Sequence, residues 1–134
     1  MNNDELGEII HLVKKFSIQG IVATNTTVEH SGLTDKIRTL KGGLSHKHLH
    51  KRSTIIIKKL YKELGINLSI NGVGGDFSGA DAYKKIRAGA AAIQIYNSLI
   101  YEGPALIKKV KKELAKLLEK DGFKKVSEAV GIDN

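Results

Sequence analysis

Cysteine is absent from this chain, and with it go disulfides, zinc–thiolate sites and thiol nucleophiles, so any redox chemistry needs a bound cofactor. Aromatic residues make up only 5%, and none is interleaved with the basic runs, so the stacking platforms of single-stranded nucleic-acid binders are missing. No run approaches the roughly 18 to 20 consecutive apolar residues that span a bilayer. The N-terminus, MNNDELGE, is acidic and polar, unlike a signal peptide. A cytoplasmic chain without a membrane segment is the expectation. Length is short for one architecture in particular: 134 residues make an ordinary compact domain but fall well below the about 250 typical of a (β/α)8 barrel. Any barrel reading therefore implies part of a barrel.

What is present is a globular composition, 41% hydrophobic and 27% charged, which supports a packed core and argues against wholesale disorder. The net charge of +8 would by itself permit a polyanionic partner. Lys108, Lys109, Lys111, Lys112, Lys116 and Lys120, however, fall on the solvent side of one amphipathic helix, and no nucleic-acid partner is expected.

Hydrophobic spacing divides the chain into alternating elements. Leu6, Ile9, Ile10 and Val13 stand at helical spacing within 4–16, acids early and lysines late, as the helix dipole prefers. Residues 20–26 (GIVATNT) form a short apolar run ending in small polar residues, the pattern of a buried parallel strand that opens on a site. Residues 28–50 have no clean period and read as a long functional loop with a short helical piece near 34–40. Ser53 is expected to cap a helix running to about Leu64, ended by Gly65; a second strand follows at 68–71. After GVGG at 72–75, Ser78 caps a helix through Ile86 that stops near Gly89, and 91–96 is a third strand. Gly103-Pro104 opens a long helix carrying Leu106, Ile107, Val110, Leu114, Leu117 and Leu118, and one further short helix lies in the tail from Asp121. Three strands alternating with helices predict an α/β fold with a parallel sheet, residues 1–134 forming one unit without a domain boundary.

A strand, a glycine cluster and a capped helix suit an anion, because glycines let backbone N–H groups approach it near the positive end of a helix; a plain tight turn is the alternative. The next strand also ends in polar residues, Gln94, Tyr96, Asn97 and Ser98, and barrel phosphate sites are built from two such adjacent loops. Asn25 and Thr26, with Thr24 and Thr27, either present donors and acceptors to a planar heterocycle or cap the following turn. His30, His46, His48 and His50 include an H-x-H-x-H run, but its neighbours are Lys47, Lys51 and Arg52, so a solvated basic loop is expected rather than a metal site.

ATNTT at 23–27, GGLS at 42–45, INGVGG at 70–75, AGAAAIQIYNSLIYEGP at 88–104 and DGFKKVSEAVG at 121–131 together resemble, in that order, the last three strand–helix units of class 2 (quinone-linked) dihydroorotate dehydrogenases. The resemblance spans nearly the whole chain. It implies the C-terminal part, strands six to eight, of a TIM (β/α)8 barrel that holds FMN, oxidises dihydroorotate to orotate and passes electrons to a quinone in pyrimidine (UMP) biosynthesis. By position, Thr24 matches an FMN contact, and Asn25 with Thr26 matches the pair that holds the orotate ring. Gly75, within GVGG beside Gly74, and Tyr96, in QIYN beside Asn97, match FMN-phosphate contacts.

Two positions depart from the family pattern. His46 stands where the family has a glycine near the flavin, which is expected to obstruct close backbone approach. Asn97 stands where the family has Ser or Thr. The resemblance places the catalytic serine base, the flavin-contacting lysine and the membrane-docking helices upstream of this sequence. The 134 residues alone are thus expected to be inactive, to need a missing N-terminal half, and to be peripheral to the membrane only within a complete enzyme. A non-catalytic remnant or phosphate-binding module is the alternative.

Overall fold

The computed structural model describes residues 2–27, 43 and 47–134. Helix α1 (Asn3–Lys15) opens with a reciprocal cap, in which Glu5 N–H donates to the Asn2 side chain at 2.8 Å and Asn2 N–H donates to the Glu5 carboxylate at 2.7 Å. Strand β1 (Gly20–Ala23) follows. Helix α2 (Leu49–Leu64) leads through a 3₁₀ turn to β2 (Ser69–Val73), and α3 (Gly79–Arg87) leads on to β3 (Ala92–Gln94). Beyond it lie α4 (Asn97–Glu102), α5 (Ala105–Lys120) and a closing 3₁₀ turn, Val126–Ala129. No helix among the described residues is long and apolar enough to cross a membrane.

The strands pair in parallel in the order β1-β2-β3, with Val22, Asn71 and Ala92 in one row. Their alternate residues divide the sheet into two unlike faces. On one face Ile70 is fully buried against Leu6 and Val13 of α1 and Ile56, Ile57 and Leu60 of α2. On α3, Tyr83 and Ile86 pack with Leu118 and Ala129, while Ala82 packs with Leu106 and Val110 of α5. The approach of α3 to α5 requires glycine at Gly79, because a Cβ there would collide with Glu113 Cβ and come within 2.7 Å of the Leu114 nitrogen. The other face is bare: Val22 is 60% exposed, and Asn71, Ala92 and Gln94 are also exposed. The strands are therefore covered on one side only, not on both as their apolar runs suggest, because no described element packs across the second face.

Other expectations shift by a turn or less. The Ser53 cap is the main correction. α2 begins earlier, at Leu49, whose side chain is buried, and Ser53 sits inside the helix with its hydroxyl donating to His50 C=O (3.1 Å) and Gly74 C=O (3.2 Å). Ser78, by contrast, caps α3 as expected, accepting from Asp81 N–H at 3.2 Å. α4 is an addition, and the helical piece expected at 34–40 lies outside the described residues.

Candidate functional site

The loops that leave β2 and β3 form one small cleft, lined by Gly74, Gly75, Asp76 and Phe77 from the first and Tyr96, Asn97 and Ser98 from the second. It lies at the C-terminal ends of the strands, where α/β proteins place their ligands. Gly74 and Gly75 take φ of +117° and +75°, conformations that side chains disfavour, and a Cβ on Gly74 would press on Leu49 Cβ and Ser53 Oγ at 3.3 Å. Among the described residues, the N–H groups of Gly75, Asp76, Asn97 and Ser98 have no acceptor. Four such donors around one hollow suit a phosphate.

The start of α3 does not add to them. Gly79 N–H donates to the Glu113 carboxylate at 2.7 Å, Phe77 N–H to Asp81 at 3.2 Å, and Asp81 N–H to Ser78 Oγ. Two of the donors expected from the helix N-terminus, Gly79 and Asp81 N–H, are thus occupied by the protein's own acceptors, and the loop amides line the cleft in their stead. Hydrogen bonds from Ser78 and Phe77 outweigh the burial that would raise Asp81, and hold its carboxyl below the usual range.

Beneath the loop lies a polar cluster that no motif announces. Lys85 Nζ donates to Gly74 C=O at 2.7 Å and to Asp76 Oδ1 at 2.8 Å, and both side chains are almost wholly buried. Burial pushes the Asp76 carboxyl up and the Lys85 ammonium down, and their mutual attraction opposes both shifts. Asp76 Oδ2 has no hydrogen-bond partner among the described residues. His50 Nε2 lies 3.2 Å from Asp81 C=O and 3.8 Å from Asp76 Oδ1. His50, on α2, is therefore tucked against Asp76 and Asp81, not in a solvated basic loop. Even so, the described residues contain no group of three or more His, Asp or Glu able to hold a metal.

The end of β1 borders the same site. Thr24 N–H donates to Val73 C=O at 3.2 Å, which anchors the Asn25–Thr26 pair one residue from Gly74. Asn25 Oδ1 accepts from Thr26 N–H at 2.7 Å, so part of the amide serves the turn, while its NH2 group has no partner among the described residues. Gly43 lies against Thr26, so close that a Cβ would fall 2.6 Å from Thr26 Cβ. A cavity of about 600 Å³ runs from Thr24–Thr27 along β1 to α1 and α2. Its mouth is polar, but its wall, Leu6, Ile9, Ile21, Ile56 and Leu60, is apolar surface of the kind a neighbouring barrel unit covers. His46, Ser45 and His30 lie outside the described residues. Tyr96 is 72% exposed at the start of α4, with Asn97 next to it.

This arrangement of loops on a parallel β/α winding has counterparts among known proteins. The dihydroorotate dehydrogenase family model matches residues 1–118. A dihydroorotate dehydrogenase (quinone) from Trichodesmium erythraeum is 44% identical over 142 residues, covering all of this chain and 38% of that protein. The mitochondrial dihydroorotate dehydrogenase (quinone) of Arabidopsis thaliana is 40% identical, covering all of this chain and 30% of that protein. A crystal structure of the ligand-free Eimeria tenella enzyme superimposes with a TM-score of 0.94 at 35% identity, over 100% of this chain and 38% of that one. This chain thus spans between 30% and 38% of the length of these relatives. Its three strands and their helices are part of a TIM barrel, and with family model, relatives and superposition in agreement, the chain belongs to the dihydroorotate dehydrogenase family.

Proposed function

We propose that this chain forms the FMN-phosphate end and part of the orotate pocket of a quinone-linked dihydroorotate dehydrogenase, within a complete barrel. The observation that supports this most is the ring of four unpartnered N–H groups around the cleft after β2 and β3, beside the Thr24–Asn25–Thr26 segment. Bound FMN would supply the redox chemistry, a hydride acceptor for dihydroorotate and an electron donor to the quinone. The chain's own residues bind and orient. Gly75, Asp76, Asn97 and Ser98 donate N–H groups to the phosphate, and the exposed Tyr96 closes one side of the cleft. The Asn25 NH2 group donates to a pyrimidine carbonyl, Thr26 offers its hydroxyl beside it, and Thr24 meets the flavin. None of the described residues is placed as the base that removes the substrate proton, so that role falls to the rest of the barrel, as does any peripheral contact with the membrane where the quinone resides.

The test is to combine the chain with the first five β/α units of the Trichodesmium relative and to follow dihydroorotate oxidation with a quinone acceptor. Turnover is expected in the complex and not from the 134 residues alone, since general-base assistance by itself contributes about 10² to 10⁴ in rate. Asn25→Ala should lower turnover in the complex. A flavin-loaded complex without turnover would contradict the proposal.

A further inference from the structure

The GVGG turn is held from underneath by a charge that a ligand in the cleft does not reach. Lys85 is fully buried, and its Nζ reaches Gly74 C=O at 2.7 Å and Asp76 Oδ1 at 2.8 Å. These two acceptors flank Gly75, so a single ammonium ties both sides of the glycine. Ser53 Oγ, from α2, is a second donor to the same Gly74 carbonyl at 3.2 Å.

Stability alone does not account for this arrangement. A buried ion pair is commonly no more stabilising than well-packed apolar side chains of the same volume, and here one carboxylate oxygen, Asp76 Oδ2, is left without a partner. Orientation accounts for it better. In a trans peptide the C=O and the following N–H point in opposite directions. Lys85 and Ser53 draw the Gly74 carbonyl into the interior, so the Gly75 N–H is turned the other way, into the cleft. The turn needs positive φ at both residues, +117° and +75°, which only glycine adopts readily.

We propose that Lys85, paired with Asp76, is the positioning residue of the phosphate site, aiming the Gly75 N–H at a phosphate monoester that Lys85 itself never touches. This rests on the reading of the cleft as a phosphate site. Because the pair is neutral overall, it supplies direction rather than charge.

The test uses the full chain, inorganic phosphate and FMN, with ¹⁵N-resolved amide and lysine-ammonium signals as the readout. In the parent, phosphate should shift the Gly75 amide. The buried Lys85 ammonium should move with the same Kd, because both report on one peptide unit. The double variant Asp76→Leu with Lys85→Met replaces the ion pair by apolar side chains, and its folding is checked by a cooperative melt. If it folds, its phosphate Kd should rise about tenfold, the loss of one well-aimed hydrogen bond to a charged group. A parent in which Gly75 ignores both phosphate and FMN overturns the phosphate reading and this proposal with it. A parent whose Gly75 responds while Lys85 stays still, or a folded double variant with unchanged Kd, overturns the role of Lys85 alone. Should the double variant not fold, the Lys85 signal in the parent decides.

Discussion

In the proposed phosphate site the main chain of Gly75 does the binding, and a side chain can only interfere. Its φ of +75° lies in the left-handed region, where a Cβ costs roughly 1 to 2 kcal/mol, and the same Cβ would stand beside the N–H that faces the cleft. Gly75→Ala is therefore expected to weaken phosphate or FMN binding about tenfold or more, read by titration of flavin fluorescence in the completed barrel. Unchanged affinity would mean that the phosphate sits elsewhere. Residues of this kind were legible in the sequence, since glycines after a strand announce a backbone requirement. Lys85 and Asp76 were not. They stand nine positions apart in no motif, and one of two adjacent lysines near the end of a helix reads as solvated; only packing turns Lys85 inward and leaves Lys84 exposed. His50 escaped for a similar reason, because its acidic neighbours, Asp76 and Asp81, come from another part of the chain.

Among the elements, those with strong periodicity or a cap were legible and those held by tertiary contacts were not. The acids and lysines at the two ends of α1, the Ser78 cap of α3 and the inward Leu106 and Val110 of α5 all follow from local physics. α2 starts one turn before its expected cap because Leu49 gains a buried place and Ser53 is engaged by Gly74. α4 has six residues, and Leu99, Ile100 and Tyr101 all lie on its exposed surface, so no apolar stripe marks it. The tail is held on α3 by pairs that span much of the sequence. Gly131 N–H donates to Ile86 C=O at 3.0 Å, Asp133 N–H to Arg87 C=O at 3.1 Å, and Arg87 grips the Asp133 carboxylate at 2.6 Å. The hydrogen bond from Arg87 holds the Asp133 carboxyl below its usual range despite some burial. A carboxyl whose folded pKa is lower than its unfolded value stabilises above the unfolded value, about 4, and loses that contribution as pH falls through the folded value. The Gly131 and Asp133 amides should therefore lose exchange protection below about pH 4 while Ile70 in the core keeps it. Equal protection of the tail at pH 5 and at pH 3 would show that the Arg87–Asp133 pair does not hold it.

For the molecule as a whole, the lysines that raise the net charge to +8 prove to be surface residues: Lys108, Lys109, Lys111, Lys112, Lys116 and Lys120 are all exposed on α5. Among the described residues no strand pairs with the outer edge of β1 or of β3, and one face between them is bare, as in a sector of a closed barrel. The parallel β/α winding was legible because apolar runs alternate with amphipathic stretches. The bareness of one face was not, since a strand's composition does not say which of its neighbours are present. The polar end of β1, Thr24 to Thr26, was legible by its place at a strand end, and His46 stays outside the described residues. This sector is proposed to hold the phosphate end of FMN. The most direct test compares FMN with riboflavin, which lacks the phosphate, by flavin fluorescence titration of the barrel completed with the relative's first five units. FMN is expected to bind at least tenfold more tightly, and added inorganic phosphate to erode the difference; equal affinities for the two flavins would contradict a phosphate site in this sector.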